Sequence, residues 1–372
     1  MPTPASLSPL SLTFNIRTLQ AAQSGVQRYA RELDRRWGPH IARVRPAHQA
    51  QGVHGHIWEQ CLLPAYCRGR LLFSPGNTGP LACRDQVVTI HDASTFDHPE
   101  AFSGLFGRWY RWLLPRLARR VRAIITVSQF SRERLSKRLG ISPEKIVVIP
   151  NGVTPPVPRS EELIAQDAEQ LRLPPRFLLF VGTQDPRKNV QRLIEAFSRA
   201  RLGDIELLLA GGADSRLFQS DGQTLSVPRV RTLGRVSDTA LETLYRRAEG
   251  FVFPSLYEGF GLPPLEAMAR GCPVLSSNAT CLPEICGPSW EQNGACLYFA
   301  PDSTEAITAT LERFCNISAD TRQSMIEAGR RHAARFSWDR CAQATLNVLH
   351  RYAGLPVSDE STTTPSLIAS TS

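Results

Sequence analysis

The chain has 372 residues, 42% hydrophobic and 21% charged, as expected of a globular protein with two domains, each large enough for its own core. It holds no run of eighteen apolar residues and no basic leader segment, which argues against a spanning helix and a signal peptide. Nine cysteines, odd in number and without a Cys-x-x-Cys pair, argue against a disulfide framework or a zinc site and for a reducing cytoplasm.

The net charge of +9 is uneven, because ten Lys and Arg residues lie between Arg108 and Arg138 against Glu133 alone. Trp109, Trp112, Leu113 and Leu114 are interleaved with the arginines. The spacing fits a basic helix lying on an anionic membrane, or a solvated helix face with its tryptophans in the core. Nucleic acid is not expected, since no recognised binding module accompanies the charge.

In chain order, Leu10–Phe14 reads as a weak strand. Gly25 then turns into an amphipathic helix with Val26, Tyr29, Ala30 and Leu33 on one face. From about Arg35 to Gly79 the pattern is irregular, apart from a helix near Trp58–Pro64 and a strand at Leu71–Pro75. The apolar run Gln86–Ile90 predicts a strand, and His91-Asp92 follows at once, where open α/β sheets bind ligands. A structural histidine is the plainer alternative there. Val121–Val127 and Ile146–Val153 predict two more strands, with a serine-capped helix between them. A proline cluster, Pro155, Pro156 and Pro158, marks a linker.

Arg176–Gly182 is a hydrophobic strand ending in glycine. Arg187 and Lys188 follow in its loop, before a helix over Val190–Ala200. Two cations at a strand's carboxyl end suit a diphosphate, although solvated loop cations are the bland reading. Strands at Ile205–Gly212 and Val230–Val236 and a helix over Thr239–Arg247 continue a doubly wound pattern. Gly250–Pro254 is a buried strand. Gly259-Phe260-Gly261 is a loop that admits close backbone approach, and Pro263 and Pro264 open the next helix. A glycine loop feeding a helix start suits a phosphate. Glu258 and Glu266 flank it, and carboxylates repel phosphate but accept hydrogen bonds from hydroxyls. Phosphate donors beside hydroxyl acceptors describe a site for a nucleotide sugar. A dehydrogenase is not expected, since no Gly-x-Gly-x-x-Gly follows an early strand, and the lack of any Asp-x-Asp fits a metal-free mechanism.

The segment Glu258-Gly-Phe-Gly-Leu262, with Leu265-Glu-Ala-Met-Ala269 and Gly271-Cys-Pro-Val274, resembles the signature of the retaining glycosyltransferases of family 4. Pro150-Asn-Gly-Val153, Arg187-Lys-Asn189, His91-Asp92 and Phe336-Ser-Trp338 resemble further family segments. The resemblance implies an α/β fold of the GT-B type, two Rossmann-like doubly wound domains facing across a cleft. These would be an acceptor-side domain over residues 1–153, a nucleotide-sugar domain over 154–337, a helix over 338–353 packing back on the first domain, and a disordered tail over 355–372.

It also implies roles. Lys188, with Arg187, neutralises the diphosphate, Arg187 standing in for the arginine that many members carry where this chain has Thr183. Glu258 with the Phe260 and Gly261 amides holds sugar hydroxyls, and Glu266 accepts the ribose hydroxyls. Gly25, Gly182, Gly259 and Leu262 line the donor, and the backbone at Val236 meets the base. His91 positions the donor sugar, and Asp92 lies on the acceptor side. The loops resemble the mannosyl- and deoxymannosyltransferase branch that builds bacterial surface polysaccharides, lipopolysaccharide among them. GDP-mannose is therefore the expected donor, with no cofactor or metal, and a saccharide or lipid-linked saccharide the acceptor. The expected location is cytoplasmic, with peripheral contact on the inner membrane face as the alternative that the basic stretch leaves open. The alternatives are a nucleotide-sugar epimerase of the same architecture and a non-catalytic relative.

Overall fold

The computed structural model describes residues 12–20, 24–37, 41–48, 52–183, 185–212, 219–220, 223–224 and 227–356. The chain divides into two units, Met1–Gly152 together with Ser337–Ser372, and Val153–Phe336. Each unit carries a six-stranded parallel sheet. Parallel strands need helical crossovers that cover both faces, so they read as continuous apolar runs.

In the first unit the strands are β1 (Leu12–Asn15), β2 (Ala42–Val44), β3 (Leu71–Ser74), β4 (Gln86–Thr89), β5 (Ala123–Thr126) and β6 (Ile146–Val148). Their order is β2-β1-β3-β4-β5-β6. The sequence leaves β2 unread for a physical reason. It is a half-buried edge strand of three residues, and its central Arg43 donates to Asp34 Oδ1 at 2.6 Å instead of packing. The helix Gly52–Cys61 and the turn Leu63–Tyr66 occupy the rest of that stretch. The helix Gln129–Leu139 is the serine-capped helix expected between β5 and β6, with Ser128 as the cap accepting from Ser131 N at 3.1 Å.

The helix Trp338–Ala353 belongs to this unit, although it follows the second one in sequence. It packs on the helix Gly25–Trp37, where Trp37 Nε1 donates to Ala342 O at 3.2 Å and Arg36 Nε to Asp339 Oδ1 at 2.6 Å. At Gly152 a Cβ would stand 2.1 Å from Trp338 N, so only glycine lets these backbones pass. The tail expected to be disordered falls, from residue 357 on, outside the described residues.

The second unit's strands are β7 (Phe177–Val181), β8 (Glu206–Ala210), β11 (Val230–Gly234), β12 (Gly250–Phe253), β13 (Val274–Ser277) and β14 (Cys296–Phe299), and two further strands of two residues each, β9 (Gln219–Ser220) and β10 (Gln223–Thr224), pair antiparallel in a separate sheet. The order β11-β8-β7-β12-β13-β14 is doubly wound from β7, first towards β11 and then back through β12 to β14. The direction reverses between β7 and β12, and ligands bind at such a switch point, outside the strands' carboxyl ends. Phe197 of the helix Val190–Arg199 and Phe314 of the helix Thr304–Cys315 are fully buried in the core on the sheet, with Leu207, Val252 and Leu275. Each such side chain contributes about 1.5–3 kcal/mol. Among the described residues no helix is long and apolar enough to cross a membrane.

Candidate active site

The loops after β7 and β12 meet at the switch point and are cross-braced there. After β7, Pro186–Lys188 forms a 3-10 turn capped by Asp185, whose Oδ1 accepts from Arg187 N at 2.9 Å. Asn189 then takes a left-handed conformation, φ 57°, and starts the helix Val190–Arg199. Asn189 Nδ2 donates to Pro254 O at 3.1 Å and to Pro301 O at 2.7 Å. Leu256 N donates to Arg187 O at 2.7 Å. The brace closes with Lys188 Nζ on Glu258 Oε1 at 2.5 Å, both side chains largely buried and the ammonium 5.4 Å above the Phe253 ring.

Two predicted site residues seventy positions apart are thus in contact. The neighbouring cation is held differently. Arg187 Nε lies 3.0 Å from both oxygens of Asp185, and its Nη2 lies 2.5 Å from Oδ2. Burial would raise the Asp185 pKa, but the bonds from Arg187 and the charge of Lys188 hold it below 3.8. Arg187 therefore arrives at the site with its charge matched by a carboxylate two residues away.

The β12 loop is shaped from the far side. Glu258 N donates to Thr280 Oγ1 at 3.2 Å, and the Cys281 thiol donates to the carbonyls of Glu258 and Phe260. Phe260 is buried with its ring edge against Phe336. Gly261 has φ 98° and leads the helix Leu262–Ala269. A Cβ on Gly261 would also press on Leu282 at 2.8 Å. Pro263 and Pro264 have no N–H, so two of the first-turn positions cannot serve an anion. The amides on this side belong to Gly259, Phe260, Gly261, Leu262 and Leu265.

Glu266 is buried on that helix, and Tyr245, from the helix Asp238–Arg247, donates to its Oε2 at 3.2 Å. Burial, and then the charge of Glu266, push the Tyr245 pKa well above 10, which keeps the phenol a donor. Arg270 seals the base of the pair, donating to Glu266 O at 3.1 Å and to Glu242 Oε2 at 2.6 Å.

Gly182 and Val236 mark the other strand ends. Gly182 N donates to Ala210 O and Gly211 N to Gly234 O, so the ends of β7, β8 and β11 are joined through backbone. A Cβ on Gly211, with φ 136°, would lie 1.8 Å from Gly182 O. Val236 is half-buried, two residues beyond β11.

In the first unit, His91 is buried at the end of β4. Its Nε2 lies 3.0 Å from Pro75 O, a pure acceptor, so the hydrogen sits on Nε2 and Nδ1 keeps its lone pair. The ring stands edge-on to Tyr29 at 5.0 Å, and burial holds its pKa below 6.5, so it is neutral at pH 7. Asp92 Oδ1 accepts from Ser94 N at 2.8 Å. Gly25 is the exposed first residue of the helix Gly25–Trp37, and residues 21–23 before it lie outside the described residues.

The sequence missed several residues here. Asp185 and Tyr245 act on the predicted groups, and no periodicity marks them, although Asp-x-Arg is a spacing that closes an Asx turn. In the first unit, Glu59 is buried at the switch point between β1 and β3, where Asn15 Nδ2 donates to its Oε1 at 3.1 Å and Arg17 Nη2 at 3.3 Å. Burial would raise its pKa, but Arg17, His56 and Thr78 hold it below 4.5.

Comparison with known proteins agrees across both units. Residues 164–332 match the model of the group 1 glycosyl transferases, and residues 22–155 that of glycosyltransferase family 4. The chain is 33% identical over 270 residues to O-antigen chain mannosyltransferase B of Escherichia coli, covering 70% of this chain and 69% of that protein. It is 32% identical over 278 residues to the MMP alpha-(1->4)-mannosyltransferase of Mycolicibacterium hassiacum, covering 72% of this chain and 62% of that protein. Among solved structures, the fold is similar to Anabaena HepE in complex with UDP and glucose, with a TM-score of 0.71 at 18% identity over 92% of this chain and 99% of that one. It is also similar to WaaG, a glycosyltransferase involved in lipopolysaccharide biosynthesis, with a TM-score of 0.68 at 17% identity over 91% and 99% of the two chains.

Proposed function

The chain belongs to glycosyltransferase family 4, and from that premise we propose that it transfers a hexose, mannose or a deoxymannose, from a nucleotide sugar to a saccharide or lipid-linked saccharide acceptor in surface polysaccharide synthesis. The observation that carries this reading is the Lys188–Glu258 pair at the β7/β12 switch point, with buried Glu266 on the helix that starts beside it. In the resting chain the cation and the carboxylate satisfy each other. Donor binding exchanges partners. The diphosphate takes Lys188, and the sugar hydroxyls take Glu258 with the Phe260 and Gly261 amides.

Glu266, fixed by Tyr245, accepts the ribose hydroxyls, and the backbone at Val236 meets the base. The glycine ends of β7 and β8 leave room for phosphate against bare backbone. His91, neutral and with its Nδ1 lone pair available by its tautomer, accepts from a hydroxyl of the transferred sugar, and Asp92 serves the acceptor. Transfer proceeds with retention by same-face attack. The acceptor oxygen bonds to the anomeric carbon as the carbon–phosphate oxygen bond breaks, and the acceptor's proton passes to the leaving diphosphate. Lys188 stabilises the charge that grows there, with no metal required. GDP-mannose is the preferred donor, in line with the named activities of the two mannosyltransferase relatives.

A thermal-shift screen against GDP-, UDP-, dTDP- and ADP-sugars tests the reading. GDP-mannose at a hundred times its Kd stabilises the site by about 2.7 kcal/mol, or about 5–10 °C for a unit of this size. The shift and subsequent turnover persist in EDTA. No shift with any nucleotide sugar would overturn the donor assignment, and an altered sugar released without acceptor would mark an epimerase.

A further inference from the structure

The first unit keeps a buried ion pair, Arg17 with Glu59, that its stability does not explain. Glu59 is 1% exposed, and its Oε1 accepts from Arg17 Nη2 at 3.3 Å and from Asn15 Nδ2 at 3.1 Å. Its Oε2 is buried without a hydrogen-bond partner, and so is Arg17 Nε. His56 Nδ1 stands 3.7 Å from Oε2, beyond hydrogen-bond reach, and is unpartnered as well. A buried pair with spare polar atoms adds little stability over apolar residues of the same shape. What the pair does provide is a fixed direction for the Arg17 guanidinium.

That direction is towards the loop after β3. Arg17 Nη2 also donates to the buried Thr78 Oγ1 at 3.2 Å. Gln60, next to Glu59 on the helix Gly52–Cys61, holds the loop's far end, donating to Gly79 O at 2.9 Å and accepting from Leu81 N at 3.0 Å. A Cβ on Gly76 would lie 2.2 Å from Thr18 Oγ1, so the loop runs close against the turn Arg17–Gln20. Between these anchors the loop grips His91. Asn77, left-handed at φ 67°, donates its N–H to Thr89 O at 2.9 Å, and its Oδ1 accepts from His91 N at 2.8 Å. Pro75 O, two residues earlier, is the acceptor that places the imidazole hydrogen on Nε2. The backbone and the ring of His91 are thus both fixed by one loop, whose own position is set by Arg17, Glu59 and Gln60.

We propose that Arg17 and Glu59 are positioning residues for transfer: through Thr78 they hold the turn Pro75–Asn77, and that turn fixes the ring orientation and tautomer of His91. The inference rests on the reading of His91 as a contact of the transferred sugar. The partner of one ring nitrogen decides what the other can do, so a ring free to turn or to exchange its hydrogen would meet a hydroxyl with a donor for part of the time. Glu59, almost wholly buried, acts only through the loop.

Ring-nitrogen NMR of the full chain labelled with nitrogen-15 histidine tests it. The chain has eight histidines, so the His91 signals are those missing from His91→Ala. Wild type is expected to show His91 in the single Nε2–H form. Glu59→Gln keeps the shape and removes the charge, and Thr78→Val removes the hydroxyl that Arg17 reaches. Both are expected to mix the Nδ1–H form into the His91 signals, and Thr78→Val decides the matter should Glu59→Gln not fold. Turnover of GDP-mannose falls about 10–100-fold in Glu59→Gln, as a small misplacement costs, while the Kd for GDP stays at the wild-type value. In the His91→Ala background Glu59→Gln lowers turnover no further, whereas a merely structural defect would add its own loss. His91 signals unmoved in both variants overturn the proposal, and so does an additive loss in the double variant. Unmoved signals together with an inactive His91→Ala sink the positioning alone. Shifted signals together with full turnover in His91→Ala sink the sugar contact of His91, and with it any positioning for transfer.

Discussion

Lys188→Ala separates what the Lys188–Glu258 pair does for the fold from what it does for the reaction. The side chains are 20% and 14% exposed, so the pair is sheltered but not fully dry. Removing one partner of a fully buried pair costs about 3–5 kcal/mol, and exposed pairs are worth about 0–1 kcal/mol. An intermediate loss of about 1–2 kcal/mol is expected, which lowers the melting temperature by roughly 2–8 °C. Most of it comes from leaving Glu258 charged without a partner. Lys188→Ala/Glu258→Gln removes both charges, so much of that stability returns. Turnover does not return with it. Lys188 meets charge that builds as the donor bond breaks, and deleting one such group costs about 10²–10³ in kcat. Differential scanning fluorimetry reads the first effect and single-turnover donor consumption the second. Failure of Glu258→Gln to restore stability to the Lys188→Ala background, or turnover of Lys188→Ala within threefold of wild type, would refute these two roles of Lys188.

Three other outcomes are expected. Tyr245→Phe leaves buried Glu266 short of a donor, costs about 1–3 kcal/mol, and weakens nucleotide-sugar binding measured by calorimetry more than it lowers the rate at saturating donor. Gly211→Ala unfolds the second unit at markedly lower temperature, because its Cβ would lie 1.8 Å from Gly182 O at a φ of 136°, whereas Gly212→Ala meets nothing within 4 Å and melts normally. Burial holds His91 and His332 below 6.5, so the unfolded chain takes up protons first as pH falls. Stability should therefore drop as pH falls below about 6.5 and level off beneath the folded-state values, and a melting temperature unchanged between pH 7.5 and 5.5 would refute this.

The strands were legible where glycine and proline punctuate apolar runs, as in Phe177–Val181 closed by Gly182 and Gly250–Phe253 closed by Pro254. Elements with little buried surface were not. β2 puts Arg43 at its centre, and the helix Glu161–Gln170 buries only Ile164, so neither leaves a hydrophobic period to read. At the candidate site the sequence names groups but not their partners. Lys188 and Glu258 are both visible as loop charges, and their contact is a property of strand order. The hold of Asp185 on Arg187 depends on a side-chain rotamer, and the phenol on Glu266 depends on how the helix Asp238–Arg247 packs. No periodicity marks either contact, and only the Asp-x-Arg spacing hints at the first.

The return of Trp338–Ala353 to the first unit has a consequence for biosynthesis. The ribosome makes β1 to β6 first, yet Trp37 and Arg36 must wait for Ala342 and Asp339. All of Val153–Phe336 is translated in the interval, which takes roughly 10–40 s at about 5–20 residues per second. The second unit, continuous in sequence, is complete as soon as it emerges. The unit translated first is therefore the last to finish folding, and for that time one face of the helix Gly25–Trp37 stays uncovered and open to chaperones.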